Sequence, residues 1–363
     1  MQAFVSLPFV RRVASRGETK TSVELASGIA CDLRCVANEQ FPFALHHFTG
    51  SREHNTALRR RARQRGLKMN EYGLFPEGRG ESIVCAGEEE LFAALGLDWI
   101  PPELRENMGE IEAAAEGRLP RLVEAADVRG MIHFHTTASD GRDSLEAMAR
   151  AARERGFSYI GVCDHSRTAA YAGGLSGDAL KAQRDEIERV KERVPEIDIL
   201  HGVESDILAD GELDYPGEVL GWLDFVVVSA HSRFTMSREE MTRRVVRAVE
   251  NPHATILGHA TGRLLLRREP YAIDLEAVFE AAARGGTAIE INGQPTRLDL
   301  DWRLCRAARQ AGCRFAVTPD AHSTAEIEYV ALSVGTARKG WLGKDDIVNC
   351  MEADAFRAWA RNK

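Results

Sequence analysis

Residues 130–141 read GMIHFHTTASDG, and two histidines stand two apart in this short apolar run. In a β-strand, side chains two apart leave the same face. His133 and His135 are therefore expected to point together, while Ile132 and Phe134 turn the other way into packing. Asp140 follows where the strand should end. Two imidazoles and a carboxylate at one strand end have the makings of a metal site.

Outward from this stretch, a rhythm runs to the end of the chain. After Val128, β-rich runs (GMIHFH, SYIGVCDH, IDILHGVE, FVVVSAH, ATILGHA, TAIEIN, RFAVTPDAH) alternate with helical patterns. One helix is expected to start at Asp143 and stop at Gly156, another behind the Ser237/Glu240 capping box, a third behind Asp274. Such alternation predicts a parallel sheet, and seven units favour closure into an α/β barrel over an open doubly wound sheet.

The metal-capable residues recur at the ends of these strands. After His133, His135 and Asp140 come His165, Glu204, His231 and His259, and the seventh strand ends with Asp320 and His322. The sixth offers no obvious ligand; Glu290 and Asn292 there could orient others. His201 and His253, beside the ends, read as structural. The C-terminal ends of barrel strands converge on one mouth, so six histidines and three carboxylates should meet there. Nine donors exceed the needs of one ion and suit two or three divalent ions sharing carboxylates. A nitrogen and oxygen set without thiolate favours zinc, manganese or iron. A multinuclear centre of this kind suits phosphoryl transfer. Arg167 and Tyr171 after His165, and Arg263 after His259, favour an anionic substrate, and Ser176 is expected to cap the next helix.

The front of the chain differs. GETKTSVELASGIACDLRCV reads as two strands around a Ser27-Gly28 turn, with Asp32 on the polar face. A helix follows that opens at TGSREHN and stops at Gly66. Arg52, Arg59, Arg60, Arg61, Arg63, Arg65 and Lys68 face a single acid, Glu53, between Ser51 and Asn70, which favours contact with a phosphate backbone. The 363 residues carry 44% hydrophobic and 28% charged side chains, as ordinary globular chains do. A net charge of −8 argues against a nucleic-acid coat but not against a local basic patch. No apolar run approaches a membrane span, and no secretory signal opens the chain. Seven scattered cysteines suggest reduced thiols and a cytoplasmic location.

In order and spacing, HFHTTASDG, CDHS, GVESDI, SAHS, GHATGR and PDAH resemble the metal motifs of the polymerase and histidinol phosphatase (PHP) family. The resemblance implies a distorted seven-stranded β/α barrel with a trinuclear site. It assigns His133, His135, Glu204 and Asp320 to one ion, Glu204, His231 and His259 to a second, and Asp140, His165 and His322 to a third. GETKTS, CDLR, HFTGSREHN and NEYGLF resemble the palm end and thumb of bacterial family X DNA polymerases. On that resemblance, residues 1–48 are a small α+β palm-end remnant, 49–100 a basic thumb-like segment, 101–127 a linker and 128–363 the PHP domain. Asp32 matches the third palm carboxylate, and Asn55 and Arg59 match thumb residues that meet the nascent base pair, while Arg63 shares their basic helix. Residues 1–31 hold no aspartate, only Glu18 and Glu24, so the first two polymerase carboxylates are missing and no polymerase activity is expected.

The expected function is a metal-dependent phosphoesterase on DNA 3′ ends, with manganese, zinc or iron. A separate or upstream polymerase part is an expected partner. The alternatives are a phosphatase for a phosphorylated small molecule such as histidinol phosphate, and a non-catalytic DNA-binding part of a longer polymerase. An amidohydrolase also opens with His-x-His, but no strand end here offers its bridging lysine.

Overall fold

A computed structural model of the chain describes residues 1–78 and 80–363 and separates into two units, Met1–Leu119 and Pro120–Lys363. Among the described residues, no helix is long and apolar enough to cross a membrane, and the seven cysteines form no disulfide.

In the first unit, β2 (Lys20–Leu25) and β3 (Ala30–Arg34) form the expected hairpin, and Gly28 takes a positive φ of 84° at its turn. The sequence did not announce β1 (Val10–Arg16), which pairs antiparallel with β2 as a largely exposed edge. The basic helix spans Arg52–Gln64, and the Ser51 side chain caps it by accepting the His54 N–H. A small hairpin, β4 (Leu67–Asn70) and β5 (Gly73–Pro76), follows it. The segment 101–127, expected as a linker, divides at Leu119/Pro120. Its front part belongs to the first unit, where Leu104, Ile111, Ala113 and Ala114 are buried.

That part also supplies a buried polar tie. The Glu110 carboxylate accepts hydrogen bonds from His54 Nδ1 (2.6 Å) and from the backbone N–H groups of Asn107 (2.8 Å) and Met108 (2.6 Å). Burial alone would raise this carboxyl, but the His54 bond and the backbone donors outweigh it and hold Glu110 below its ordinary value. Glu110→Ala strands those donors and is expected to destabilise the first unit by about 3 kcal/mol. The measurement is urea unfolding followed by Trp99 fluorescence, and an unmoved midpoint would refute the role. Because the folded value is depressed, the wild-type tie is present above the unfolded carboxyl range and lost as pH falls through the folded value.

The second unit carries the seven apolar runs as β6 (Gly130–Phe134), β7 (Tyr159–Val162), β8 (Asp198–Asp206), β9 (Phe225–Ser229), β10 (Ile256–Leu257), β11 (Ala288–Asn292) and β12 (Phe315–Thr318). They lie side by side in chain order, each parallel to the next. Burial on both faces explains why they read as continuous apolar runs. A parallel bridge between Phe134 and Ala321 brings the first strand against the last, so the sheet is a nearly closed barrel. Helices pack around it, capped by Ser144, Ser176, Ser237, Asp274 and Asp301. The cap of the first is Ser144; Asp143, its neighbour, instead accepts the Thr324 N–H at 2.8 Å.

A second apolar cluster, including Ile132, Leu200, Phe225, Val227 and Ile256 with Phe356 from the last helix, packs apart from the layer between sheet and helices. Phe225 needs Gly161 and Gly202 there, since a Cβ would come within 2.7 and 2.4 Å of its ring. The strand ends carry the polar residues.

Candidate metal centre

Glu204, near the end of β8, is the hub. Its Oε1 lies 3.0 Å from His259 Nε2, 3.3 Å from His231 Nε2 and 3.4 Å from His133 Nε2. Its Oε2 lies 2.9 Å from His165 Nδ1 and 3.7 Å from His135 Nε2. Asp320 Oδ1 approaches His135 Nε2 at 3.2 Å and His133 Nε2 at 3.6 Å. Asp140 Oδ1 sits 3.5 Å from His322 Nε2, 3.6 Å from His165 Nε2 and 3.9 Å from His135 Nδ1. All nine donors expected from the sequence therefore come together, although they are scattered from His133 to His322 along the chain.

Within this constellation, three groups have donor atoms mutually within 4.8 Å: His133, His135 and Asp320; His165, Glu204 and His231; and His135, Asp140, His165 and His322. His165 keeps the place beside Asp140 and His322 that the resemblance implied and also reaches the Glu204 group, because Nε2 faces Asp140 while Nδ1 faces Glu204. Among the described residues His259 belongs to none of these groups; its Nε2 meets Glu204 at 3.0 Å.

The donor set fits divalent cations. His133 Nε2 and His135 Nδ1 are buried and, among the described residues, have no hydrogen-bond partner, which leaves lone pairs for an ion. Burial pulls His165 and His231 down, but Glu204 with Asp140 or Asp206 overrides it and pushes them up to about 10 and about 9. Burial and the neighbouring His165 pull His135 down to about 4. Such a carboxylate cluster demands positive charge, and incoming cations would displace protons from the raised histidines. Burial, reinforced by Glu204, holds the Cys163 thiol protonated, so no thiolate joins the set.

The backbone reaches this geometry by a route that simple alternation did not foresee. His133 has a φ of 60°, and the β6–β7 register shifts between Ile132 and Phe134. The two imidazoles thus converge through a left-handed bulge, with ring centroids 5.5 Å apart. His259 (φ 25°) and Asp320 (φ 50°) are also left-handed. Strain at three donor residues is the pattern expected where surroundings hold a site in shape.

The expected substrate residues fare unevenly. Tyr171 is 73% exposed, its ring centroid 6.4 Å from that of His165. Arg167 is turned to Asp214, with Nε 3.2 Å from Oδ1 and Nη2 2.7 Å from the carbonyl. Arg263 is spent on structure: it donates to the Arg297 and Leu298 carbonyls and to Asp301 Oδ2. In the first unit, both amide hydrogens of Asn55 go to the carbonyls of His47 (2.9 Å) and Gly50 (3.2 Å), so this side chain fastens a helix junction. Arg59 and Arg63 line a groove of about 540 Å³ with Thr56, Lys68 and Met69. His201 pairs with Gln183 and lies against Trp222, away from the centre.

Two residues escaped the sequence reading. Asp206 Oδ1 accepts from His231 Nδ1 at 2.5 Å, and its Oδ2 accepts the Thr168 hydroxyl at 2.9 Å. Its signal was its place two residues after Glu204 on the same strand. Arg297 lies on the loop after β11 with Nε 3.4 Å from Asp320 Oδ2. Arg263 holds that loop, so it serves the mouth indirectly.

The PHP domain family matches residues 132–294, and a probable phosphatase of Caldanaerobacter subterraneus subsp. tengcongensis is 30% identical over 201 residues, covering 52% of this chain and 74% of its own. The chain belongs to the PHP family of metal-dependent phosphoesterases. Ahead of the PHP barrel, the DNA polymerase beta thumb family matches residues 44–106. The DNA polymerase/3′-5′ exonuclease PolX of Bacillus subtilis (strain 168) is 38% identical over 362 residues, which is 99% of this chain. The chain spans 63% of that relative's length. Among solved structures, a histidinol phosphate phosphatase of Lactococcus lactis subsp. lactis, complexed with zinc, L-histidinol and phosphate, is 18% identical with a TM-score of 0.43, covering 58% of this chain and 93% of that one.

Proposed function

We propose that the PHP barrel hydrolyses phosphoric esters at DNA 3′ ends, as a 3′–5′ exonuclease or 3′-phosphatase, using two or three manganese or zinc ions, with iron also compatible with the donors. The observation that carries this reading is the gathering of nine donors around Glu204 in a chain that also bears a basic polymerase-type thumb helix. The name of the B. subtilis relative, a polymerase and 3′–5′ exonuclease, supports DNA over a small metabolite. When bound, the ions supply Lewis acidity to an attacking water and to the phosphate. The chain supplies the rest. His133, His135, Asp140, His165, Glu204, His231, His259, Asp320 and His322 hold the ions, and Asp206 fixes the His231 ring through Nδ1. Arg297 offsets charge on a phosphate oxygen, and Tyr171 lines the rim. In the thumb, Arg59 and Arg63 contact the DNA backbone.

Templated extension is not expected of this chain. Asp32 is paired with Lys20 at 2.8 Å, and residues 1–31 hold no aspartate to complete a polymerase metal site.

The test compares turnover of a labelled oligonucleotide 3′ end with that of histidinol phosphate. The oligonucleotide should be strongly preferred. Arg59→Ala and Arg63→Ala should each weaken its binding and reduce the salt slope by about one, leaving histidinol phosphate turnover untouched. Efficient turnover of histidinol phosphate alone would instead establish the metabolite phosphatase suggested by the phosphatase relatives.

A further inference from the structure

The three left-handed donor residues come from three strands: His133 from β6, His259 after β10 and Asp320 after β12. All three are tied to β11, the one strand that contributes none of the nine donors. His133 Nδ1 is bonded to Glu290 Oε1. The His259 backbone N–H donates to Glu290 Oε2 at 2.6 Å. Asn292 Nδ2 donates to Asp320 Oδ2 at 3.0 Å and to Glu290 Oε2 at 3.1 Å. Thr318, two residues before Asp320, donates its hydroxyl to Glu290 Oε1 at 2.6 Å. Glu290 and Asn292 are wholly buried.

We infer that β11 is the template of the metal centre, with Glu290 as a positioning residue that sets the His133 tautomer and holds the strained backbone of His259. The inference rests on the metal reading above. Glu290 is not itself a ligand, because an ionised carboxylate offers about four acceptor positions and protein donors fill all four. It lies in none of the three donor groups. With His133 Nδ1–H donating to Glu290, the ring presents the bare lone pair of Nε2 to Glu204 and Asp320, and that buried nitrogen has no hydrogen-bond partner among the described residues. An orienting carboxylate behind a ligand histidine also makes the ring more basic.

Glutamine has the same shape and cannot do this. If its carbonyl faces His133, its amide meets the His259 N–H and the Asn292 amide, both donors. If it is reversed, its N–H₂ faces Nδ1 and forces the proton onto Nε2, where it blocks an ion. The test uses the full chain, stripped of ions and titrated with Zn²⁺ and with Mn²⁺ against a competing chelator. Wild type should take up two or three ions. Glu290→Gln should weaken uptake by about 10–100-fold, in the range for lost orienting partners. In protein saturated with Zn²⁺, ¹⁵N NMR of the His133 ring should show Nδ1 protonated and Nε2 without a proton in wild type and the loss of that pattern in the variant, a change that mere destabilisation does not produce. Thr318→Val removes one of four donors while keeping the volume, and should give a smaller, severalfold loss. Unchanged affinity and tautomer in Glu290→Gln would overturn the inference. Should that variant fail to fold, unchanged affinity in Thr318→Val would overturn it. A wild-type chain that takes up no ion would defeat the metal reading and the template with it, a result recognisably different from ions binding equally to all variants.

Discussion

Glu204→Gln is expected to lower hydrolysis by about 10³-fold or more. The carboxylate faces five of the six mouth histidines, and both oxygens are engaged. Glutamine keeps the volume but offers one acceptor oxygen and no charge. It would hold a cation more weakly, and its N–H₂ would confront imidazole lone pairs. Metal-ion stabilisation is worth several kcal/mol, and each ~1.4 kcal/mol is a decade in rate. Burial opposes the ionised form of Glu204, but His231, His165 and His133 hold the carboxyl well below its ordinary range, so it is an anion at any working pH. Metal content should fall in parallel with turnover. A variant that keeps both would remove Glu204 from the centre of the chemistry.

Arg297→Met is expected to reduce kcat/KM by about 10²–10³-fold, the range for loss of one preorganised donor from a reacting oxygen. Arg167 and Arg263 are committed to Asp214, Asp301 and backbone carbonyls. Arg297, with its side chain 18% exposed beside Asp320, would be the guanidinium to meet an incoming phosphate under the proposed function. Its positive charge also acts on His259, Asp320 and Tyr171. Methionine keeps most of the stem, so ion uptake should persist while substrate affinity and rate fall. Equal kinetics in the two proteins would place phosphate binding elsewhere.

The seven strands were legible because a parallel strand covered on both faces has nowhere to put a polar residue until it ends. An abrupt His, Asp or Glu after a run such as FVVVS therefore marks both an end and a donor. The edge strand β1 lacked that signal, since VRRVASR is mostly exposed. The hairpin β4–β5 was too short to show a period. For His133 the alternation argument is incomplete: residues two apart do share a face, but nothing in the letters HFH tells of a bulge at φ 60°. Arg263 and Arg297 show the same limit. Both are arginines on mouth loops, and only the path of residues 293–301 settles which one is consumed by backbone carbonyls.

The barrel's closing joint has a mechanical corollary. Its first and last strands meet through the Phe134–Ala321 bridge and the 2.8 Å bond from the His135 N–H to the Ala321 carbonyl. An ion held between His135 and Asp320 would rivet that joint and close a loop of 185 residues. Withdrawing it with a chelator would then leave β6 and β12 as a pair of loosened margins, open to pairing with a neighbouring molecule. Loss of the cation would thus be felt as self-association as well as lost turnover.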